Sequence, residues 1–259
     1  MNALHTEVNR LFFADPQHAL LHDATRSPLL GADGHVRCGV LELGCPADWS
    51  LLGAVWRGVQ TDLELTAPAI AINGSDGYQL WFAWQQALPA VDAATFLQAL
   101  CQRYLGTVAP ARLRYWPAAN PLAEDEAAPT PPPAAHPRSG QWSAFIAPDL
   151  AAVFADEPWL DRDPGLEAQA QLLGRLEGMG PQDFAKAWAL LQPAPPKPVL
   201  TPTQATSPSH GLQPAHADYP TDTPTAFLQA VMRDATAPLA LRMQAATALL
   251  QRDASTPKA

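Results

Sequence analysis

Ala69-Ile70-Ala71-Ile72-Asn73-Gly74-Ser75-Asp76-Gly77-Tyr78-Gln79-Leu80-Trp81-Phe82-Ala83-Trp84 decides the fold. A short apolar run meets five residues that tolerate positive φ, and a second apolar and aromatic run returns, which predicts two strands joined by a tight turn. Toward the amino terminus, His35 to Leu43 (HVRCGVLEL) alternates in part and stops at Gly44-Cys45-Pro46, predicting a strand. Asp48 then suits a helix cap. Leu52, Val55, Trp56, Val59 and Leu63 recur at three- and four-residue spacing, so a helix over 49–65 turns one stripe to a core. Toward the carboxy terminus, Asp92 caps a predicted helix carrying Phe96, Leu97, Leu100, Cys101 and Tyr104, and Arg112-Leu113-Arg114-Tyr115-Trp116 alternates like a last strand.

The element order is β-α-β-β-α-β. Short connections and right-handed crossovers fold that order into a four-stranded antiparallel sheet with two helices on one face, so the predicted class is α+β with ferredoxin-like topology over residues 1–116. A helix at 2–14, with Leu4, Val8, Leu11 and Phe12 on one face, precedes this unit, and a short helical turn spans His18 to His22. Two proline-rich stretches, 117–140 and 193–222, lack periodicity and predict extended, mobile linkers. They set off a small helical module at 141–192, with helices near 148–154, 166–176 and 181–191. They also set off a carboxy-terminal helical pair at 223–259, its helices opened by Pro224 and Pro238.

Among 259 residues, 47% are hydrophobic and 16% charged, enough for a sizeable core, and the 28 prolines cluster in the linkers. A net charge of −9 opposes long-range attraction to phosphate backbones or anionic lipid, which disfavours a general nucleic-acid binder. Three cysteines, 38, 45 and 101, have no C-x-x-C spacing and read as small hydrophobes of a reduced, cytoplasmic protein. The first residues carry no basic segment with an apolar run behind it, and no stretch is apolar for long enough to span a bilayer, so no membrane association is expected.

Strand one ends Val40-Leu41-Glu42-Leu43-Gly44, and the hairpin continues Asn73-Gly74-Ser75-Asp76-Gly77-Tyr78-Gln79-Leu80. Over residues 35–84 this block resembles the archaeo-eukaryotic primase-polymerase family, especially the polymerase domain of bacterial ligase D. The resemblance implies a strand bearing an Asp-x-Asp pair that holds two divalent metals. It also implies a hairpin of Ser-Gly-Gly-x-Gly-x-His type that contacts nucleotide phosphates. This chain departs from both motifs. Glu42 and Gly44 stand where the aspartates are expected and Gln79 where the histidine is, and Arg112 to Trp116 offers no third acid. Two-metal catalysis needs several carboxylates, so the resemblance implies a relative without polymerase activity. In such a relative Gly74, Ser75, Gly77 and Gln79 are the phosphate-contact candidates. Asn73 to Gly77 is equally well an ordinary hairpin turn.

Arg112 and Arg114, placed on one face of the last strand with Tyr78 or Trp81 on the sheet, are the candidates for stacking and charge contact with single-stranded nucleic acid. Glu42 is a candidate metal ligand. His18 and His22, four apart on a helical turn, have zinc-compatible spacing, but two ligands do not complete a site. The chain otherwise asks for no cofactor. The acidic run from Asp156 to Asp163 around Trp159 suits a docking surface for a basic partner. The carboxy-terminal pair is similar to helices of phage terminase small subunits and related mobile-element proteins, which implies recruitment or self-association through residues 223–252.

These observations lead to a non-catalytic, primase-polymerase-like adaptor associated with nucleotides or nucleic acid. The alternative is a protein-protein adaptor that recruits a larger complex through its carboxy-terminal helices. A third reading is a phosphotransferase using Glu42 and Asp76 with one metal.

Overall fold

The computed structural model describes residues 2–14, 27–118, 128–192 and 229. The chain divides into two units, Met1–Lys197 and Pro198–Ala259. The expected helical pair and the 193–222 linker lie outside the described residues, Gln229 apart, as do His18 and His22.

The first unit is an α+β structure built on a five-stranded sheet of β1 (His35–Gly44), β2 (Ala69–Ile72), β3 (Gly77–Pro89), β4 (Leu113–Trp116) and β5 (Ala144–Ile146). Its order is β4-β1-β3-β2-β5, and all neighbours are antiparallel. The helices are α1 (Ala3–Phe12), α2 (Trp49–Thr61), α3 (Ala90–Tyr104), α4 (Leu166–Leu173) and α5 (Pro181–Leu191).

Strand alternation divides the core in two. Leu41, Leu43, Leu80 and Phe82 point to one face, where α2 supplies Leu52, Val55 and Val59 and α3 supplies Phe96, Leu97 and Leu100. Val40, Trp81 and Phe145 point to the other, where α1 supplies Leu4, Val8, Leu11 and Phe12 and α4 supplies Ala170 and Leu173. Asp48 caps α2 as its position predicts: Oδ1 accepts from the backbone N–H of Ser50 at 2.9 Å and of Leu51 at 3.3 Å.

Several expectations change. The sheet has a fifth strand, because Ala144–Ile146 pairs with β2 and ties the middle block into the first unit. Both faces are covered, since α1 and α4 lie over the side opposite α2 and α3. Residues 128–140 do not behave as an extended linker. The Ala134 carbonyl accepts from Ser143 N at 2.9 Å, and His136 N donates to Gln141 O at 2.7 Å, so the segment folds back on β5's approach. β3 runs on to Pro89, and α3 opens there without a side-chain cap, so Asp92 sits in its first turn instead. The helix expected near 148–154 contracts to a 3-10 turn, Ala151–Phe154.

Candidate functional site

Antiparallel pairing places Arg114, Glu42 and Gln79 side by side on β4, β1 and β3, in one row across the sheet. Gln79 Nε2 donates to Glu42 Oε2 at 2.6 Å, and Gln79 Oε1 accepts from Trp81 Nε1 at 2.9 Å. Arg114 Nη1 lies 3.5 Å from Glu42 Oε1. Glu42's side chain is 16% exposed, whereas Arg114's is 72% exposed. The carboxylate is therefore enclosed by donors, and the guanidinium still faces solvent.

Asn73 organises the adjoining turn. Its Oδ1 accepts from the backbone N–H groups of Ser75, Asp76 and Gly77 at 2.9–3.0 Å, and its Nδ2 donates to Asp76 Oδ1 at 3.2 Å and to Glu42 Oε1 at 3.4 Å. An Asx side chain folding its own turn explains this conformation without any ligand. Gly74 N–H donates to Pro158 O at 3.1 Å. With the amides from Gly74 to Gly77 all engaged, an anion here meets side chains and not a backbone cradle. Both glycines have packing reasons. Gly74 has φ +80° and a Cβ there would stand 2.8 Å from Ser143 N, while a Cβ on Gly77 would stand 2.8 Å from Leu43 O.

Cys45, at φ 52°, carries an exposed thiol that donates to Asp76 Oδ2 at 2.7 Å. The hydrogen bond from Cys45 holds the Asp76 carboxyl below its ordinary range, and the same bond with the neighbouring negative charge raises the Cys45 thiol.

Glu42, Asn73, Ser75, Asp76, Gln79 and Arg114 line one pocket of about 450 Å³, which residues 134–138, including His136 and Arg138, also line. The structure thus brings together Glu42, Ser75, Gln79 and Arg114, which the sequence had offered for separate roles. Asn73, the organiser, was not among the sequence candidates, nor were His136 and Arg138, because they fall in a stretch whose composition suggested a linker. Asn at the head of Asn-Gly-Ser-Asp-Gly was the signal for the first. Nothing local signalled the other two.

Three candidates move. Tyr78 and Trp81 are fully buried, so no base can stack on them: the Tyr78 hydroxyl donates to Ala151 O at 2.6 Å, and Trp81 packs on Phe12 and Phe145. Tyr78 and Trp81 point to opposite faces, and alternation alone could not tell that both faces of the sheet are covered. Arg112 lies in the turn Pro110–Arg112 ahead of β4 and donates to Gly44 O at 3.3 Å and Pro46 O at 2.8 Å, fastening the β1–α2 loop.

The donor set does not fit a pair of divalent cations. Gly44 has no side-chain ligand and its carbonyl accepts from Arg112, Glu42 is held by Gln79 and Arg114, and the Asn73 amide spans the gap between Glu42 and Asp76. Among the described residues no three His, Cys, Asp or Glu side chains group as ligands. No helix among the described residues is long and apolar enough to cross a membrane. No protein-family model matches the sequence, and no curated protein matches it.

Proposed function

We propose that this chain is a non-catalytic, primase-polymerase-like protein that associates with nucleotides or single-stranded nucleic acid and serves as an adaptor. The β4-β1-β3-β2 order with antiparallel neighbours supports a ferredoxin-like core beneath it. The observation that carries the reading is the 450 Å³ pocket, where the exposed Arg114 guanidinium shares the lining with Arg138, His136 and Ser75. Guanidinium groups match phosphate oxygens bidentately. Glu42 orients Arg114 from one side, and Gln79 locks Glu42 in place, so the row works as a fixed mount for one cation. With both faces of the sheet covered by helices, this pocket, and not a stacking platform, is the point of contact. The adaptor role is assigned to residues 223–252, whose removal is expected to abolish partner capture while leaving ligand binding intact.

Fluorescence anisotropy of a labelled single-stranded oligonucleotide and of a fluorescent nucleoside triphosphate tests the reading. Saturable binding that weakens between about 50 and about 200 mM salt, and falls about tenfold or more in Arg114→Ala, is expected. Absence of saturation, or an unaffected Arg114→Ala protein, would overturn it.

A further inference from the structure

Toward the opposite end of β1 from Glu42, the β1–β3 pairing breaks. Val36 stands opposite Leu88 and Cys38 opposite Ala83, so Arg37 faces a stretch of β3 with extra residues. Such irregularities re-aim side chains and occur beside functional sites. The extra residues pair elsewhere: Met179 N–H donates to Ala83 O at 2.7 Å and Gln85 N–H to Met179 O at 3.0 Å. A pocket of about 230 Å³ results, lined by Arg37, Trp84, Gln85, Arg10, Glu177 and their neighbours.

Its polar groups are unsatisfied in one sense only. Arg37 Nε and Trp84 Nε1 are both buried donors without a hydrogen-bond partner. Among the described residues Arg37 forms no ion pair, and besides the buried Cys38 thiol the side chain acting on its guanidinium is another cation, Arg10. Burial lowers the Arg37 pKa from its ordinary value. Arg10 is differently placed, since Nε donates to Glu7 at 2.7 Å and Nη2 to the Leu173 and Leu176 carbonyls at 3.0 and 3.1 Å, securing α1 to the end of α4. Glu177 is exposed at the rim and makes no ion pair with either arginine. A half-buried guanidinium without a counter-charge is costly, and a buried Arg37 Nε–H beside a pocket calls for an acceptor; the Trp84 ring itself packs against Phe96 and Phe184.

We propose that this pocket binds a compact oxyanion, a carboxylate or a phosphate, paired with the Arg37 guanidinium. The site lies apart from the Arg114 pocket and shares no lining residue with it. Paired N–H donors on a planar fork suit two oxygens of one anion better than chloride.

Nuclear magnetic resonance of the arginine Nε–H and tryptophan Nε1–H groups tests this on the full chain, with inorganic phosphate, acetate and chloride titrated separately at constant ionic strength. Arg37→Met and Trp84→Phe identify the two resonances. Saturable movement of both with phosphate or acetate, but not with chloride, is expected, and the anion that saturates first names the source. Arg37→Met should weaken the response, read on Trp84, about tenfold or more, and Arg114→Ala should leave it unchanged. Without added anion, Arg37→Met should melt no lower than the parent protein, because it removes an uncompensated charge. Should that variant fail to fold, Arg37→Lys keeps the charge, loses the fork and should bind phosphate more weakly. Resonances that stay still in both oxyanions, or a response that survives loss of Arg37, would overturn the proposal.

Discussion

Gln79 and Glu42 face each other in register on β3 and β1, and the 2.6 Å bond from Gln79 Nε2 to Glu42 Oε2 joins the buried Trp81 indole to the solvent-facing Arg114 through a continuous polar chain. Gln79 is 7% exposed, so both of its amide ends are used in a partly dry setting. Replacing it with Leu leaves the Trp81 N–H and a Glu42 oxygen unpaired. Gln79→Leu is expected to cost about 1–3 kcal/mol, read from the urea midpoint. An unchanged midpoint would contradict the pairing.

Cys45 is exposed yet should react slowly. Its thiol donates to Asp76, whose negative charge opposes thiolate formation, and thiolate is the reactive form. Asp76→Asn removes that charge, so the Cys45 pKa should fall and iodoacetamide should label it faster at neutral pH. Cys38 and Cys101 stay in the background, since burial raises both thiols, Cys101 to about 11. Equal labelling rates in parent and variant would count against the hydrogen bond.

Asp48 contributes to stability with a defined pH sign. Hydrogen bonds from Ser50, its hydroxyl first, hold the folded carboxyl below 3.8. A depressed folded pKa gives stability that is present above the unfolded value, near about 3.9, and lost as pH falls through the folded one. Asp48→Ala should cost about 1 kcal/mol at neutral pH. Asp48→Asn, which still caps, should show a shallower loss of stability between neutral pH and about pH 3. Parallel curves for parent and Asn variant would refute this.

Gly77 tests whether the turn is built by packing. An added methyl would meet the Leu43 carbonyl at 2.8 Å, and a backbone atom in a central strand cannot swing aside. Gly77→Ala should destabilise by about 1–3 kcal/mol with or without ligand present. A variant as stable as the parent, with only ligand binding impaired, would return Gly77 to the role of a phosphate contact.

The sequence made the β1-α2-β2-β3-α3-β4 core legible because each element had its own signal: period-two apolar runs, a three-and-four stripe in α2, an Asp cap and an Asn-Gly turn. Leu166 and Pro181 also mark true helix starts. β5 was hidden because Ala144-Phe145-Ile146 is too short to display alternation, and its pairing with β2 is a long-range choice. Tyr78 and Trp81, on opposite faces, looked available because alternation assigns each side chain to a face and says nothing about what covers either one. The Arg114, Glu42 and Gln79 row followed from strand order and register. His136 and Arg138 arrive from a proline-rich stretch that local composition describes as a linker. Tertiary docking, not local propensity, puts them at the pocket.

Whether the Arg114 pocket holds a phosphate-bearing ligand is read by amide chemical-shift mapping with a nucleoside triphosphate. Saturable shifts concentrated in residues 73–79, 113–116 and 134–138, and abolished in Arg114→Ala, are expected. Shifts confined to the neighbourhood of Arg37, or none at all, would contradict binding at Arg114.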